Sequence, residues 1–258
     1  MGVLAVDVGN SHTVLGIVDD GEVHGYWQVR TDQRRTSDEW AVLLRGLIGD
    51  ELAGVEGVVV CATVPAVLAE WRTMLHRHFA SIPSVILEPG VRTGLPIQVD
   101  NPREVGTDRI ANALAASVRY GGPAIVVDFG GTATTFDVVA ASGAYVGGII
   151  APGIEVAAEA LSRAGAQLRR VEIAKPRGVL GKNTVEAVQA GLVYGVAAQV
   201  DGLVARLITE LGAEPDVVTV ISTGYLADVA RELCTSFTAH VPHLGLQGLE
   251  LIFRRNSG

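Results

Sequence analysis

The chain writes one short pattern twice. Asp7-Val-Gly-Asn-Ser-His-Thr13 runs on to Val18, and about half a chain later Asp128-Phe-Gly-Gly-Thr-Ala-Thr134 runs on to Val139. The two align without a gap, matching Asp with Asp, Gly with Gly, Ser11 with Thr132 and Thr13 with Thr134. β-Branched and aliphatic runs flank each copy, so each reads as two strands joined by a tight turn, with an acid at the end of the first strand. A hairpin repeated at this interval constrains the chain to two similar halves. Amides at Gly9 and Asn10, with the hydroxyls of Ser11 and Thr13, can donate to phosphate oxygens, and Asp7 is placed to orient Mg²⁺ or its waters. The same composition also serves plain hairpins, so the repeat carries more weight than either copy.

Length and charge set the frame. With 258 residues, 48% hydrophobic and 19% charged, the chain is a folded globular protein with room for two ordinary domains. A net charge of −8 without a Lys/Arg run argues against general affinity for nucleic acid or anionic membrane. Cys61 and Cys234 are the only cysteines; they form no disulfide framework or metal-ligand spacing and are expected to be buried, reduced thiols. The amino terminus lacks a basic stretch before its apolar residues, and no apolar run reaches about 18 residues. A cytoplasmic protein without a membrane span is the expectation.

Along the first half, the hairpin is followed by a strand at 22–29 after an Asp19-Asp20-Gly21 turn. Arg30 to Glu39 reads as a solvated polar loop, Arg34 and Arg35 included, ending in a helix cap at Thr36 or Ser37. The helix then runs to Ile48 with Trp40, Leu43, Leu44 and Leu47 on one face. Val58 to Ala62 reads as a buried strand, Pro65 to Phe79 as a helix and Val85 to Leu87 as a strand. Three strands in meander followed by strand–helix alternation predict a mixed sheet with helices packed on it.

Residues 89–102 are loop by their Gly and Pro content, and a helix follows from Ile110. Gly106-Thr107-Asp108 falls at its start. That is an ordinary helix cap, or equally a carboxylate at the positive end of a helix, followed by Arg109, suited to accepting a proton while gripping an anion. Gly121-Gly122-Pro123 marks the domain boundary, giving domains of 1–121 and 122–258, with the last helix able to pack back on the first. The second half repeats the three strands at 124–128, 134–139 and 145–151. A helix from Pro152-Gly153 to Ala164 follows, then a long one from Thr184 to Leu211, a strand over 217–222 and helices over 226–234 and 245–255. Ala187, Gly191, Gly195, Ala198 and Gly202 give the long helix a smooth face, for an internal contact or a subunit interface.

Several stretches together resemble type III pantothenate kinases, members of the acetate and sugar kinase, heat-shock chaperone and actin superfamily. They are Asp7-Val-Gly-Asn-Ser11 with Thr13, Arg30-Thr-Asp32 with Arg35-Thr-Ser-Asp-Glu39, Asp100 to Asn112, Asp128-Phe-Gly130, Gly147-Gly148, Ala151-Pro-Gly153, Gly181-Lys-Asn-Thr184 and Gly245-Leu-Gln-Gly-Leu249. Their order and spacing span nearly the whole chain.

The resemblance implies an α/β, actin-like duplicated fold: two similar ribonuclease-H-like domains with mixed sheets flanked by helices, and ATP between them. It implies transfer of the γ-phosphoryl of ATP to pantothenate, the first step towards coenzyme A, in a homodimer. Carried over by position, Asp7, Val8, Gly9, Asn10, Ser11, His12, Thr13 and Val14 would line the ATP phosphates. Gly106, Thr107, Asp108 and Arg109, with Thr184, would hold pantothenate. Asp108 would be the proton acceptor, Asp128 would bind a monovalent cation, K⁺ or NH₄⁺, and Asp7 would orient Mg²⁺. The family usually reads Asp-Phe-Gly-Thr-Ala-Thr-Thr where this chain inserts Gly131, so either Gly131 or Thr132 takes the nucleotide contact. No Gly-x4-Gly-Lys-Ser/Thr stretch supports a P-loop kinase. The competing readings are a silent relative acting as a regulator and a kinase of the same fold for another hydroxy acid or sugar. Retained Asp7, Asp108, Arg109 and Asp128 oppose the first.

Overall fold

Each hairpin becomes the centre of its own sheet. In a computed structural model describing residues 2–165 and 171–257, β1 (Val3–Val8) pairs antiparallel with β2 (His12–Asp19) and parallel with β4 (Gly57–Ala62). β3 (Glu22–Arg30) and β5 (Ser84–Ile86) complete a sheet of order β3-β2-β1-β4-β5. The second hairpin repeats the plan. β6 (Ala124–Phe129) lies between antiparallel β7 (Ala133–Val139) and parallel β9 (Thr219–Thr223), with β8 (Tyr145–Pro152) and β10 (Ala239–His240) outermost, in the order β10-β9-β6-β7-β8. Read from the meander edge, the two sheets share one topology. Even the registers agree: Asp7 faces Val14 and Val8 faces Thr13, as Asp128 faces Thr135 and Phe129 faces Thr134.

Strand burial follows from these positions. β1 and β4, paired on both sides, are apolar almost throughout, whereas edge strand β3 alternates exposed and half-buried residues. Helices α1 (Ser37–Ile48) and α2 (Pro65–His78) cover the first sheet, and Trp40 meets Trp71 at 5.1 Å between ring centroids. The Thr36 cap is reciprocal: Thr36 N–H donates to Glu39 Oε2 at 2.8 Å and Glu39 N–H to Thr36 Oγ1 at 3.4 Å. The buried face of α1 is Trp40, Ala41, Leu44 and Ile48, with Leu43 and Leu47 only partly covered. In the second sheet, α4 (Ile154–Ala164) and α5 (Thr184–Leu211) enclose Ile125, Phe129, Phe136, Val200 and Val204.

Two compact units result. The first takes the chain to Leu95, then Asp100–Ala115, and again from His243; the second is Pro96–Val99 and Ala116–Pro242. Their division falls inside α3 (Thr107–Tyr120). α7 (Leu244–Asn256) belongs to the first unit and lies on β1 and β4, where Gly57 leaves room for the Phe253 ring. Its Glu250, 3% exposed, accepts the N–H groups of Asp20 and Gly21 at 3.0 and 2.8 Å, fixing a β2–β3 turn in which both residues have positive φ.

Three expectations are corrected. The helix expected over 226–234 shrinks to α6 (Ala227–Ala230) and a 3-10 turn, and the chain then adds the short strand β10. Arg35 is not a solvated charge: its guanidinium stacks 4.7 Å from the Trp40 ring centroid, while Arg34 is exposed. Cys234 is half-buried and only Cys61 is enclosed. Of the two contacts open to the small residues of α5, the internal one is not made among the described residues: they are exposed, and a Cβ on Gly191, Gly195 or Gly202 would meet nothing within 4 Å.

Candidate active site

In the first unit, the carboxyl ends of β1 and β4 bring two of the singled-out acids to one buried thiol. Parallel pairing sets Asp7 opposite Cys61, whose Sγ–H donates to Asp7 Oδ1 at 3.2 Å. The first turn of α3 lies against the same thiol. Burial pushes the Cys61 pKa well up, the Asp7 and Asp108 carboxylates add to it, and the Thr107 hydroxyl opposes it. Cys61 is therefore a neutral donor between two acids.

Asp108 sits on the first turn of α3 with Oδ1 buried and without a hydrogen-bond partner. Burial raises its pKa above the ordinary aspartate value; the N–H groups of Arg109 and of Asp108 itself, and the Arg109 charge, pull the other way. A Cβ on Gly106 would stand 2.5 Å from Asp108 Oδ1, so glycine is needed for this carboxylate to fold back over the helix start. Thr107 Oγ1 is buried beside the Cys61 thiol, and Arg109 is half-buried.

The β1–β2 turn is braced from outside the repeat. Gly9 N–H donates to His12 O at 3.0 Å, which removes it from the expected phosphate donors because closing the turn already uses it. Thr63 donates to Val8 O through both N–H and Oγ1, at 3.0 and 3.2 Å, and Thr31 N–H donates to Ser11 O at 3.0 Å. Thr13 is fully buried and its hydroxyl shares a 2.9 Å hydrogen bond with that of Thr31. Val8 and Thr13 thus support the turn from within, whereas Asn10 is exposed and Gly9, Ser11, His12 and Val14 are half-buried.

In the second unit, Asp128 ends β6 as Asp7 ends β1. Gly224, at φ 91°, lets the β9 loop approach so closely that a Cβ there would lie 2.3 Å from Asp128 Oδ1. Gly131 is buried and Thr132 exposed; Gly153 N–H donates to Thr132 O at 3.0 Å. Thr134, the counterpart of Thr13, keeps a buried hydroxyl with no partner. Thr184 is exposed at the start of α5, whose cap Asn183 accepts Glu186 N–H at 2.9 Å. Glu186 also receives Lys182 N–H and pairs with Arg177, and these contacts lower its pKa. Among the described residues, no three His, Cys, Asp or Glu side chains form a metal-binding group.

Sequence reasoning set Cys61 aside, gave Thr31 no role beyond its place in the Arg30-Thr-Asp32 stretch, and passed over Glu155 and Tyr225. The parallel register of β1 and β4 could have flagged Cys61, as the residue beside Asp7; the others meet the site only through long-range packing.

Two sheets of one order, each opening on a hairpin that ends in an acid, define an actin-like α/β fold. Solved structures agree on that fold. Component A of (R)-2-hydroxyglutaryl-CoA dehydratase from Acidaminococcus fermentans matches with a TM-score of 0.54 at 15% identity, covering 100% of both chains. A ROK hexokinase from Thermus thermophilus matches at 0.51 and 15%, again over 100% of both chains. The class this defines is that of the duplicated, actin-like α/β proteins. Within it, the model of the family described as type III pantothenate kinase matches residues 3–206. A type III pantothenate kinase of a Nocardioides species is 63% identical over 257 residues, covering 100% of both proteins. The chain belongs to the type III pantothenate kinase family.

Proposed function

We infer that this protein phosphorylates pantothenate with ATP, giving 4′-phosphopantothenate in the first step of coenzyme A biosynthesis. Membership of the family gives the reaction, and the observation that carries the mechanism is Asp108. A hydroxyl is a poor nucleophile at neutral pH, and a carboxylate whose proton affinity burial has raised is a better acceptor of its proton. Asp108 Oδ1, buried and unpartnered, has its hydrogen-bonding capacity in hand for that proton as the γ-phosphoryl is transferred. Arg109, the next residue, suits the pantothenate carboxylate, with Gly106 and Thr107 beside it, and Thr184 of the second unit is proposed as a separate pantothenate contact. For the ATP phosphates the proposed contacts are Asn10, Ser11 and His12 in the first unit and, considered by itself, Thr132 or Gly131 in the second.

Asp7, a half-buried carboxylate near the end of β1, would hold Mg²⁺, a cation commonly bound through one or two carboxylates with substrate phosphates and water. When bound, Mg²⁺ neutralises charge building on the phosphates. Asp128, with the Gly224 backbone pressed against its carboxylate, suits a monovalent cation, K⁺ or NH₄⁺. The exposed smooth face of α5 supports a homodimer, and the reading is of a cytoplasmic enzyme acting on neither nucleic acid nor membrane.

A coupled assay of ADP release with pantothenate tests this. Turnover needing both Mg²⁺ and K⁺ is expected, with the K⁺ requirement altered in Asp128→Asn. Release with sugars but not pantothenate would move the assignment to another kinase of this fold, and ATP binding without turnover to a silent regulator.

A further inference from the structure

The extra glycine of the second turn has partners of its own. Gly131 is buried, whereas Asn10, its counterpart in the first turn, is exposed. A Cβ on Gly131 would stand 2.0 Å from the Tyr225 hydroxyl and 2.3 Å from Glu155 Oε2. Tyr225 donates to Glu155 Oε2 at 3.0 Å, and its oxygen accepts the Gly131 N–H. The carbonyls are held as well: Val156 N–H reaches Gly131 O at 3.4 Å, Gly153 N–H reaches Thr132 O at 3.0 Å, and Leu226 N–H reaches Phe129 O at 3.2 Å. The start of α4 and the loop after β9 thereby grip the turn from two sides, both through elements distant in sequence. Burial and the Glu155 and Asp128 carboxylates keep the phenol protonated, so it remains a donor to Glu155.

We propose that Tyr225 and Glu155 are the positioning pair of the second turn. They hold Gly131 inward through its amide and leave Thr132 as the residue presented to the nucleotide phosphates. The inserted residue then needs to be glycine because the pair fills the space of a side chain, and its amide is engaged, which decides between the two candidate contacts. Neither partner touches ATP; each acts through the turn. The proposal rests on the reading of ATP as phosphoryl donor, and deepens it.

The test is calorimetric titration of the full-length protein with a non-hydrolysable ATP analogue and Mg²⁺, alongside pantothenate turnover by the wild type. Tyr225→Phe should weaken analogue binding about five- to tenfold, the range expected when one or two hydrogen bonds that order a site are lost. Glu155→Ala should do the same, Glu155→Gln should bind within about twofold of wild type because it retains an acceptor, and the Michaelis constant for pantothenate should stay unchanged. Thr132→Ala should weaken binding in the wild type and have a smaller effect in Tyr225→Phe, since the residues act as a unit. Melting temperatures separate this from unfolding, because a merely structural pair would move stability without the rescue by Gln or the coupling to Thr132. Wild-type affinity in Tyr225→Phe, strict additivity with Thr132→Ala, or no nucleotide binding by the wild type overturns the proposal. Nucleotide binding without pantothenate turnover would overturn the functional reading and leave the pair standing.

Discussion

Cys61 Sγ lies 3.2 Å from Asp7 Oδ1, and the thiol, 1% exposed, also borders Asp108. A weak, neutral donor holds one acid of the site while filling the space beside the other. Cys61→Ser keeps a donor and should retain activity. Cys61→Ala loses it, and kcat/KM for MgATP should fall about three- to tenfold, the effect of a hydrogen bond worth roughly 1 kcal/mol. Steady-state kinetics with varied MgATP check this; equal loss in both variants would show that volume, not hydrogen bonding, matters at this position.

Asp108→Asn should lower kcat by about 10²- to 10⁴-fold, the usual contribution of a general base. Stability should move the other way. The folded protein holds the Asp108 proton more tightly than the ordinary aspartate value of 3.8, so above that value the native state retains more protons than the unfolded one. That contribution is full below the unfolded pKa and is lost as pH rises through the folded one. Melting curves from pH 4 to 7 should therefore show Asp108→Asn gaining on the wild type as pH rises, and a variant less stable than wild type at pH 7 would refute the burial argument.

Gly248 lets α7 touch α3. A Cβ there would stand 2.0 Å from Ala111 O, a backbone atom that cannot swing aside. Gly248→Ala should cost about 2–3 kcal/mol, as overpacking at a rigid contact does. Because α3 carries Asp108 on its first turn, kcat should fall as well. Urea unfolding with an unchanged m-value, paired with turnover, measures both effects.

Glu250→Ala would strand the N–H groups of Asp20 and Gly21 and remove a partner of Arg254, which now lies 3.3 Å from Glu250 Oε1. Losing a buried acceptor of this kind costs about 2–3 kcal/mol. A fall in melting temperature of roughly 5–10 °C is expected for a chain of this size. Turnover at low temperature should be nearly normal, since no proposed ligand contact is touched.

The repeat, the apolar runs and the turn residues were enough to specify two alike halves, each a meander followed by strand–helix alternation, because strand pairing and amphipathic burial are read from local pattern. The acids that end β1 and β6 and the helix start at Thr107 were visible for the same reason. Tertiary packing alone decided which of those groups remain available. The Thr13 hydroxyl is engaged by Thr31, and Arg35 lies on Trp40 although its charged neighbours suggest solvent. The thiol at Cys61 meets Asp108 because a helix begun more than forty residues later brings its first turn to that thiol. Likewise Glu155 and Tyr225, far apart in the chain, close on one glycine. Such meetings depend on how elements pack in three dimensions, and no periodicity along the chain encodes them.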